Sequence, residues 1–316
     1  MDASEVVPLG RTSVSVTRLG LGLASIGGLF TPVPKEQAVA TIERAWDLGV
    51  RLFDTAPVYG YGRSETYAGL VLRSKPRHEF VLSTKVGRLL VPGGTDTQEI
   101  WADPPPGVGP KNDYSYAAVR QSIEDSLERL GLDRIDVLHV HDPEQDFPLA
   151  VGEAYYALAD LRATGRIGAV SIGVNHADVA ARYLREVEEP GLDAVLLAGR
   201  YSLLDQSGLD DLLPLCGERG VAVIAAGVFQ GGILTSADAP PAATAWQRLC
   251  ESFDVPLAAA AIQFPFTHPA VASVLVGARH PDEVEASVQG LATEVSDELW
   301  REAERVGLTP ARAPKP

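Results

Sequence analysis

Apolar residues along the chain follow two alternating rhythms. Short β-rich runs stand at "TRLGLGLA", "VRLFDT", "EFVLSTKVG", "RIDVLHVH", "IGAVSIGV", "LDAVLLAG", "VAVIAAG" and "VASVLVG". They are nearly continuous apolar stretches, as expected of strands buried on both faces. Between most of them the apolar positions recur at helical spacing. Val39, Ile42 and Trp46 share one face, as do Val119, Ile123, Leu127 and Leu130. Val151, Ala154, Leu158 and Leu161 form a third stripe, and Leu209, Leu212, Leu213 and Cys216 a fourth; such stripes are core faces. Strand runs alternating with helices predict an α/β fold, a closed parallel (β/α)8 TIM barrel. No linker or shift in composition divides the chain, so residues 1–316 read as a single barrel domain.

Two stretches fall outside this rhythm. Near the N-terminus, "VVPLGRTSVSVTRLG" alternates polar and apolar residues around a Gly-Arg turn. It predicts a small β-hairpin closing the bottom of the barrel. Residues 86–115, after the third strand, are too long for an ordinary connection and contain the proline run of "PGGTDTQEIWADPPPGVGPKND". They are expected to form a long loop, either functional or disordered.

Composition narrows the class. With 46% apolar and 22% charged residues the chain is a globular one with a substantial core. A net charge of -15 argues against nucleic acid or an anionic membrane as a partner, so the expected partner is a small molecule. Any anionic ligand must be held by a local site working against that field. Cys216 and Cys250 have no metal-ligand spacing around them and read as reduced thiols of an intracellular protein. The N-terminal "MDASEVVPLG" lacks the basic start and apolar core of a signal peptide, and no apolar stretch is long enough to span a membrane. The expected location is the cytoplasm.

In a barrel of this kind chemistry gathers where strands end. Asp54 ends "RLFD", Lys85 ends "FVLSTK", and His141 ends "VLHVH". Tyr59 lies in the glycine-rich turn "FDTAPVYGYGRSE" that follows Asp54. Singly, each has a plain explanation: a helix cap, a solvated cation, a core imidazole, a turn residue. Together they suit proton transfer. A phenol is a poor base at neutral pH, a neighbouring ammonium lowers its pKa, and a carboxylate keeps that ammonium charged. An imidazole opposite can orient a substrate oxygen. Tyr59 is then an acid/base for a carbinol or carbonyl oxygen, and the missing part is a hydride cofactor.

Two competing motifs weigh less. "GLGLAS" lacks the third glycine of a dinucleotide fingerprint and runs into "GGLFTPVP" rather than a helix. His139 and His141 point to the same side of a strand, a possible metal pair. None of the other four histidines repeats a ligand spacing at a strand end, and His139 is expected one layer deeper. No metal is expected.

The combination of "FDTAPVYGYGRSE", "STKVG" and "DVLHVHDP" resembles the aldo-keto reductase superfamily over nearly the whole chain. That resemblance implies a (β/α)8 barrel binding a nicotinamide cofactor without a Rossmann fold. It places the catalytic Asp, Tyr, Lys and His on Asp54, Tyr59, Lys85 and His141. "FVLSTKVGRLL", "NDYSY" and "LAGRYSLLDQSGLDDLLPLCGERGVAVIAAGVF" are similar to the sugar-oxidising branch. This branch comprises D-threo-aldose 1-dehydrogenases (L-fucose dehydrogenases) and the related L-galactose and pyridoxal 4-dehydrogenases. The implied reaction is oxidation of a C1 hydroxyl to a lactone, with Tyr59 taking the hydroxyl proton.

The segment "VLVGARHPDEVEASV" departs from the family's NADP pattern. Gly277, Ala278 and Glu283 stand where that pattern has Lys, Ser and Arg. A carboxylate repels a 2′-phosphate and accepts from a ribose hydroxyl, so NAD is the expected cofactor, with NADP still possible through Arg279. By the same resemblance, Asn175, with His176 adjacent, meets the carboxamide. Ala198 and Ala226 replace the usual nicotinamide-stacking residues, and Phe229 supplies aromatic surface. Backbone from Gly227 to Gly231 meets the pyrophosphate, and Ser287 lies near the adenine. Arg88, Trp101 and Phe147 are expected to line the substrate mouth. Three other readings remain: a general NADP-dependent aldehyde or ketone reductase, a redox-sensing nicotinamide-binding subunit, and, as an outsider, a metal hydrolase.

Overall fold

The computed structural model describes residues 1–236 and 239–310. Its strands are β1 (Val6–Pro8), β2 (Ser15–Thr17), β3 (Leu19–Gly22), β4 (Leu52–Asp54), β5 (Val81–Val86), β6 (Arg88–Pro92), β7 (Val108–Asn112), β8 (Val137–His141), β9 (Ala169–Val174), β10 (Ala194–Ala198), β11 (Ala222–Ala226) and β12 (Val271–Gly277). Eight of them, β3, β4, β5, β8, β9, β10, β11 and β12, close a parallel barrel in that order. Each falls inside one of the apolar runs read from the sequence, so the (β/α)8 architecture is as the hydrophobic pattern predicts.

The helices are α1 (Lys35–Asp47), α2 (Arg63–Leu72), α3 (Tyr116–Leu130), α4 (Phe147–Leu149), α5 (Tyr155–Ala163), α6 (Ala177–Glu186), α7 (Leu212–Arg219), α8 (Pro241–Ser252), α9 (Leu257–Gln263), α10 (Pro281–Ala292) and α11 (Asp297–Arg305). They carry the predicted stripes except Val151 and Ala154, in a π-helical turn before α5, and Leu209, in a 3-10 turn before α7. In α3 the whole predicted face, Val119, Ile123, Leu127 and Leu130, is buried. The helix starts where the Ser115 side chain accepts from the Ala118 amide and stops at Gly131, whose φ of 64° turns the chain out. Burying four such side chains is worth about 1.5–3 kcal/mol each, and truncating Ile123 to Ala would cost about 2–5 kcal/mol.

The β1–β2 hairpin pairs Val6 with Thr17. Leu9 and Val16 pack with Leu52, Val137, Ala169, Ala194 and Ala222, residues at the starts of barrel strands. The hairpin therefore plugs the bottom, as its alternation suggests. The long connection after β5 differs from a plain loop. β6 and β7 form an antiparallel ribbon from Arg88↔Asn112 to Pro92↔Val108, and the prolines at 104–106 fall in the loop beyond it. Gly94 and Gly109 let its strands close up: a Cβ on either would come within 2.2 Å of the other's carbonyl oxygen. No helix of the described residues is long and apolar enough to cross a membrane.

The barrel interior is divided. Toward β4, β5, β8 and β9 the buried polar residues are Asp54, Ser83, Lys85, His139, His141 and Ser171. Toward β10, β11, β12 and β3 the positions are small or apolar: Leu196, Ala198, Ile224, Ala226, Leu275, Gly20 and Gly22. One side is equipped for chemistry and the other leaves room for a flat ligand.

Candidate active site

Strand register assembles the polar half. Asp54 is level with Ser83, Lys85 with His139, and His141 with Gly173. With a side-chain period of two, Ser83 and Lys85 share the inner face of β5, and His139 and His141 that of β8. Lys85 Nζ reaches back 2.7 Å to Asp54 Oδ2 and donates to the Thr55 carbonyl at 2.8 Å. Ser83 Oγ donates to Asp54 Oδ1 at 2.7 Å, and His139 Nε2 lies 3.5 Å from that same oxygen.

Tyr59 is delivered by its turn. Gly60 has φ +60°, and a Cβ there would stand 2.0 Å from the Gly27 carbonyl oxygen, so only glycine permits this close approach. The Tyr59 ring sits with Lys85 Nζ 4.6 Å from its centroid and the His141 ring edge-on at 5.9 Å. The three residues expected at strand ends and Tyr59 from its turn thus converge on one face. Trp101 joins them, its ring centroid 5.3 Å from that of Tyr59. A β-bridge between Leu29 and Trp101 holds it there, as does a hydrogen bond from its Nε1 to Gln98 Oε1 at 3.0 Å.

Burial governs the electrostatics. It acts against the charged form of Asp54, yet Lys85 and His139 together hold that carboxyl below its ordinary range. Burial likewise opposes the Lys85 ammonium, but Asp54 and Tyr59 together outweigh it and the pKa is raised. For Tyr59 the balance differs from the sequence-based expectation. Burial raises its pKa more than Lys85 lowers it, so in the free protein the residue is a phenol at neutral pH. Burial, with Lys85, Arg88 and His139 nearby, drives His141 well below 6.5, so it is a neutral imidazole.

A groove of about 560 Å³ runs from Asp54 and Tyr59 along the apolar half of the barrel to α10, within the range of small-molecule clefts, roughly 300–1,000 Å³. Of the expected cofactor residues, Gly227, Phe229, Gly231, Gly277, Arg279, Glu283 and Ser287 all line it, with Ala198 and Ala226. Gly231 and Gly232 have φ of +68° and +91°, and a Cβ on either would meet nothing within 4 Å, so their backbone is open to a ligand's close approach. This wall fits a dinucleotide, which Gly227, Gly231, Gly277 and Ser287 would hold. At the α10 end Glu283 Oε2 accepts from the Arg279 amide at 2.7 Å, and Arg279 Nη2 donates to the Leu29 carbonyl at 3.0 Å.

Asn175, directly after β9, donates its amide to Asp142 Oδ1 at 3.3 Å, next to His141. Two residues expected at the mouth are turned from it. Arg88 is buried with its guanidinium on Asp142, so it does not extend into the mouth. Phe147 belongs to the one-turn helix α4, which carries it away from the end of β8. Its ring packs edge-on to Tyr183 at 5.9 Å, with the Arg182 guanidinium 3.9 Å from its centroid. Residues not singled out from sequence also appear. Ser83 was legible as the residue two before Lys85 on the same face. Phe30, exposed at the groove's lip with φ 62°, lies in an aperiodic connection that carries no signal.

The Aldo/keto reductase family model matches residues 18–307, and the chain belongs to that family. It is 41% identical to the pyridoxal 4-dehydrogenase of Microbacterium luteolum, over 98% of this chain and 99% of that one. It is 40% identical to a D-threo-aldose 1-dehydrogenase of a Pseudomonas species, over 94% and 96% of the two chains. Among solved structures, the holo form of an aldo-keto reductase from Bacillus halodurans superposes with a TM-score of 0.78 at 25% identity, covering 98% of both chains. The protein is an oxidoreductase that uses a nicotinamide cofactor.

Proposed function

We propose that the protein oxidises the C1 hydroxyl of an aldose of the D-threo (L-fucose) type to a lactone, with NAD as acceptor. The observation that carries this reading is the Asp54–Lys85–Tyr59–His141 cluster at one end of a groove whose other end bears Glu283. When bound, the nicotinamide supplies the hydride acceptor. His141, neutral, holds the substrate oxygen by hydrogen bonding. Tyr59, once ionised, takes the hydroxyl proton, and the Lys85 ammonium stabilises the phenolate. Asp54 and Ser83 fix Lys85 in place. The Tyr59 ring, backed by the buried Trp101, offers aromatic surface to the apolar face of a sugar. For the choice of NAD, Glu283 supports a ribose hydroxyl over a phosphate, and the Arg279 guanidinium is engaged with Leu29.

The likeness to a pyridoxal 4-dehydrogenase favours one second reading, oxidation of pyridoxal at its 4-position, as the cyclic hemiacetal, at the same site. The test is direct. The protein is mixed with NAD and L-fucose, D-arabinose, L-galactose or pyridoxal, and the reduced-nicotinamide absorbance is followed. Turnover of an aldose in preference to pyridoxal is expected. Turnover of pyridoxal alone moves the reading to the second, and no turnover of any of the four sinks both.

A further inference from the structure

Arg88 and Asp142 form an ion pair that the proposed proton transfer does not use. Arg88 is the first residue of the β6–β7 ribbon, and Asp142 directly follows His141. Arg88 Nη2 and Asp142 Oδ2 are 2.6 Å apart, with side chains only 9% and 10% exposed. Removing two charges from water at this depth costs several kcal/mol per ion, so a pair in this position calls for a reason. The backbone is also held in an unusual state. Asp142 is a non-glycine residue at φ 44°, and Tyr114 Oη donates to the carbonyls of both His141 (2.6 Å) and Asp142 (2.7 Å). Asn175 donates to the other carboxylate oxygen at 3.3 Å.

The object of this framework is His141. Asp142 Oδ2 lies 3.7 Å from His141 Nε2. His141 Nδ1 is sealed from solvent and has no partner, which leaves Nε2 as the nitrogen able to meet a ligand. A neutral imidazole carries one ring proton, and its neighbours decide which nitrogen holds it. A carboxylate this close to Nε2 favours the proton there. Resting on the proposed role of His141, we propose that Asp142, clamped by Arg88, is a positioning residue that keeps His141 in the Nε2–H tautomer, so that it presents a donor to the substrate oxygen. Arg88 opposes the burial that raises the Asp142 carboxyl's pKa, and it holds the group in place. Since Arg88 belongs to the ribbon, which also carries the loop with Trp101, the pair ties that insertion to the catalytic imidazole.

The test reads the tautomer directly. Protein labelled with 15N at histidine is studied without substrate at neutral pH by long-range proton–nitrogen correlation, with His141 assigned from H141Q. The wild type is expected to show a protonated Nε2, and D142N a population moved toward Nδ1. With whichever substrate turns over, D142N should lose roughly ten- to hundredfold in kcat, the equivalent of a hydrogen bond to a charged group, with NAD affinity unchanged. If D142N does not fold, R88K, which keeps the charge and loses the fork geometry, is read the same way. An unaltered Nε2–H tautomer in the variant overturns the proposal, as does kcat within about twofold of wild type. Because the tautomer is measured without substrate, an error in the proposed reaction leaves that result standing.

Discussion

Replacing Lys85 by methionine would remove the ammonium and keep most of the side-chain volume. The Asp54 carboxylate would then stay in the barrel with one partner lost. The pair is 2.7 Å apart, with side chains 2% and 5% exposed, and water cannot replace the missing donor. Deleting one member of a buried pair costs about 3–5 kcal/mol. Two features put Lys85→Met near the lower end. Ser83 still donates to Asp54 at 2.7 Å, and His139 remains 3.5 Å away. The Thr55 carbonyl, however, loses its donor as well. At roughly 2.1 cal/mol/K of unfolding entropy per residue, a loss of about 3 kcal/mol lowers Tm by about 5 °C. The double variant Asp54→Asn/Lys85→Met leaves no unpaired charge and should recover at least about 1 kcal/mol, a coupling typical of contacting residues. The assay is denaturant unfolding at neutral pH and again near pH 5. The Lys85→Met deficit should shrink at the lower pH, because the orphaned carboxyl can take a proton. A deficit below about 1 kcal/mol, or a double variant no more stable than Lys85→Met, would refute the claim that each group is held there by the other.

Other consequences follow from the same groups. The Tyr59 pKa is raised above 10.0 and that of Lys85 above 10.5, so oxidation, which needs the phenolate, should accelerate with pH from neutrality to above 10. Carbonyl reduction, which uses the phenol, should be flat over that range; an oxidation rate that levels off near neutral pH would contradict the burial argument. Because His141 is depressed well below 6.5, the unfolded chain binds a proton that the folded one refuses, and stability should fall as pH drops below 6.5. Asp54, lowered from 3.8, adds a second loss as pH falls below that value; denaturant midpoints across this window check both signs. Glu283→Arg should move the ratio of kcat/KM for NAD over NADP toward NADP by about ten- to hundredfold, with a cost of about 1 kcal/mol from the lost contact to the Arg279 amide. An unchanged ratio would show that Glu283 does not face the ribose.

The barrel was legible because its strands are buried on both faces and so read as apolar runs. The proposed catalytic residues were legible because each interrupts such a run at its end: Asp54, Lys85 and His141 are polar where the pattern requires apolar. Less could be read where position depends on a turn. Phe147 lies only six residues beyond His141, but α4 redirects it toward Tyr183. Arg88 looked like a residue of a long loop, and the ribbon pairing that seats it against Asp142 joins segments twenty-four positions apart, Arg88 to Asn112. The direction of the Tyr59 pKa shift differs from the expectation for another reason. Sequence names the ammonium beside the phenol, but it does not say how much water the fold removes from it, and burial is the larger effect.

The central claim is that Tyr59 exchanges the proton while the groove holds the cofactor. Tyr59→Phe keeps the ring against Trp101 and Lys85 and removes only the hydroxyl. With NAD and the aldose that the wild type oxidises best, the rate of nicotinamide reduction should fall by about 10²–10⁴-fold while NAD affinity stays within about twofold. A variant that turns over at the wild-type rate would contradict the account.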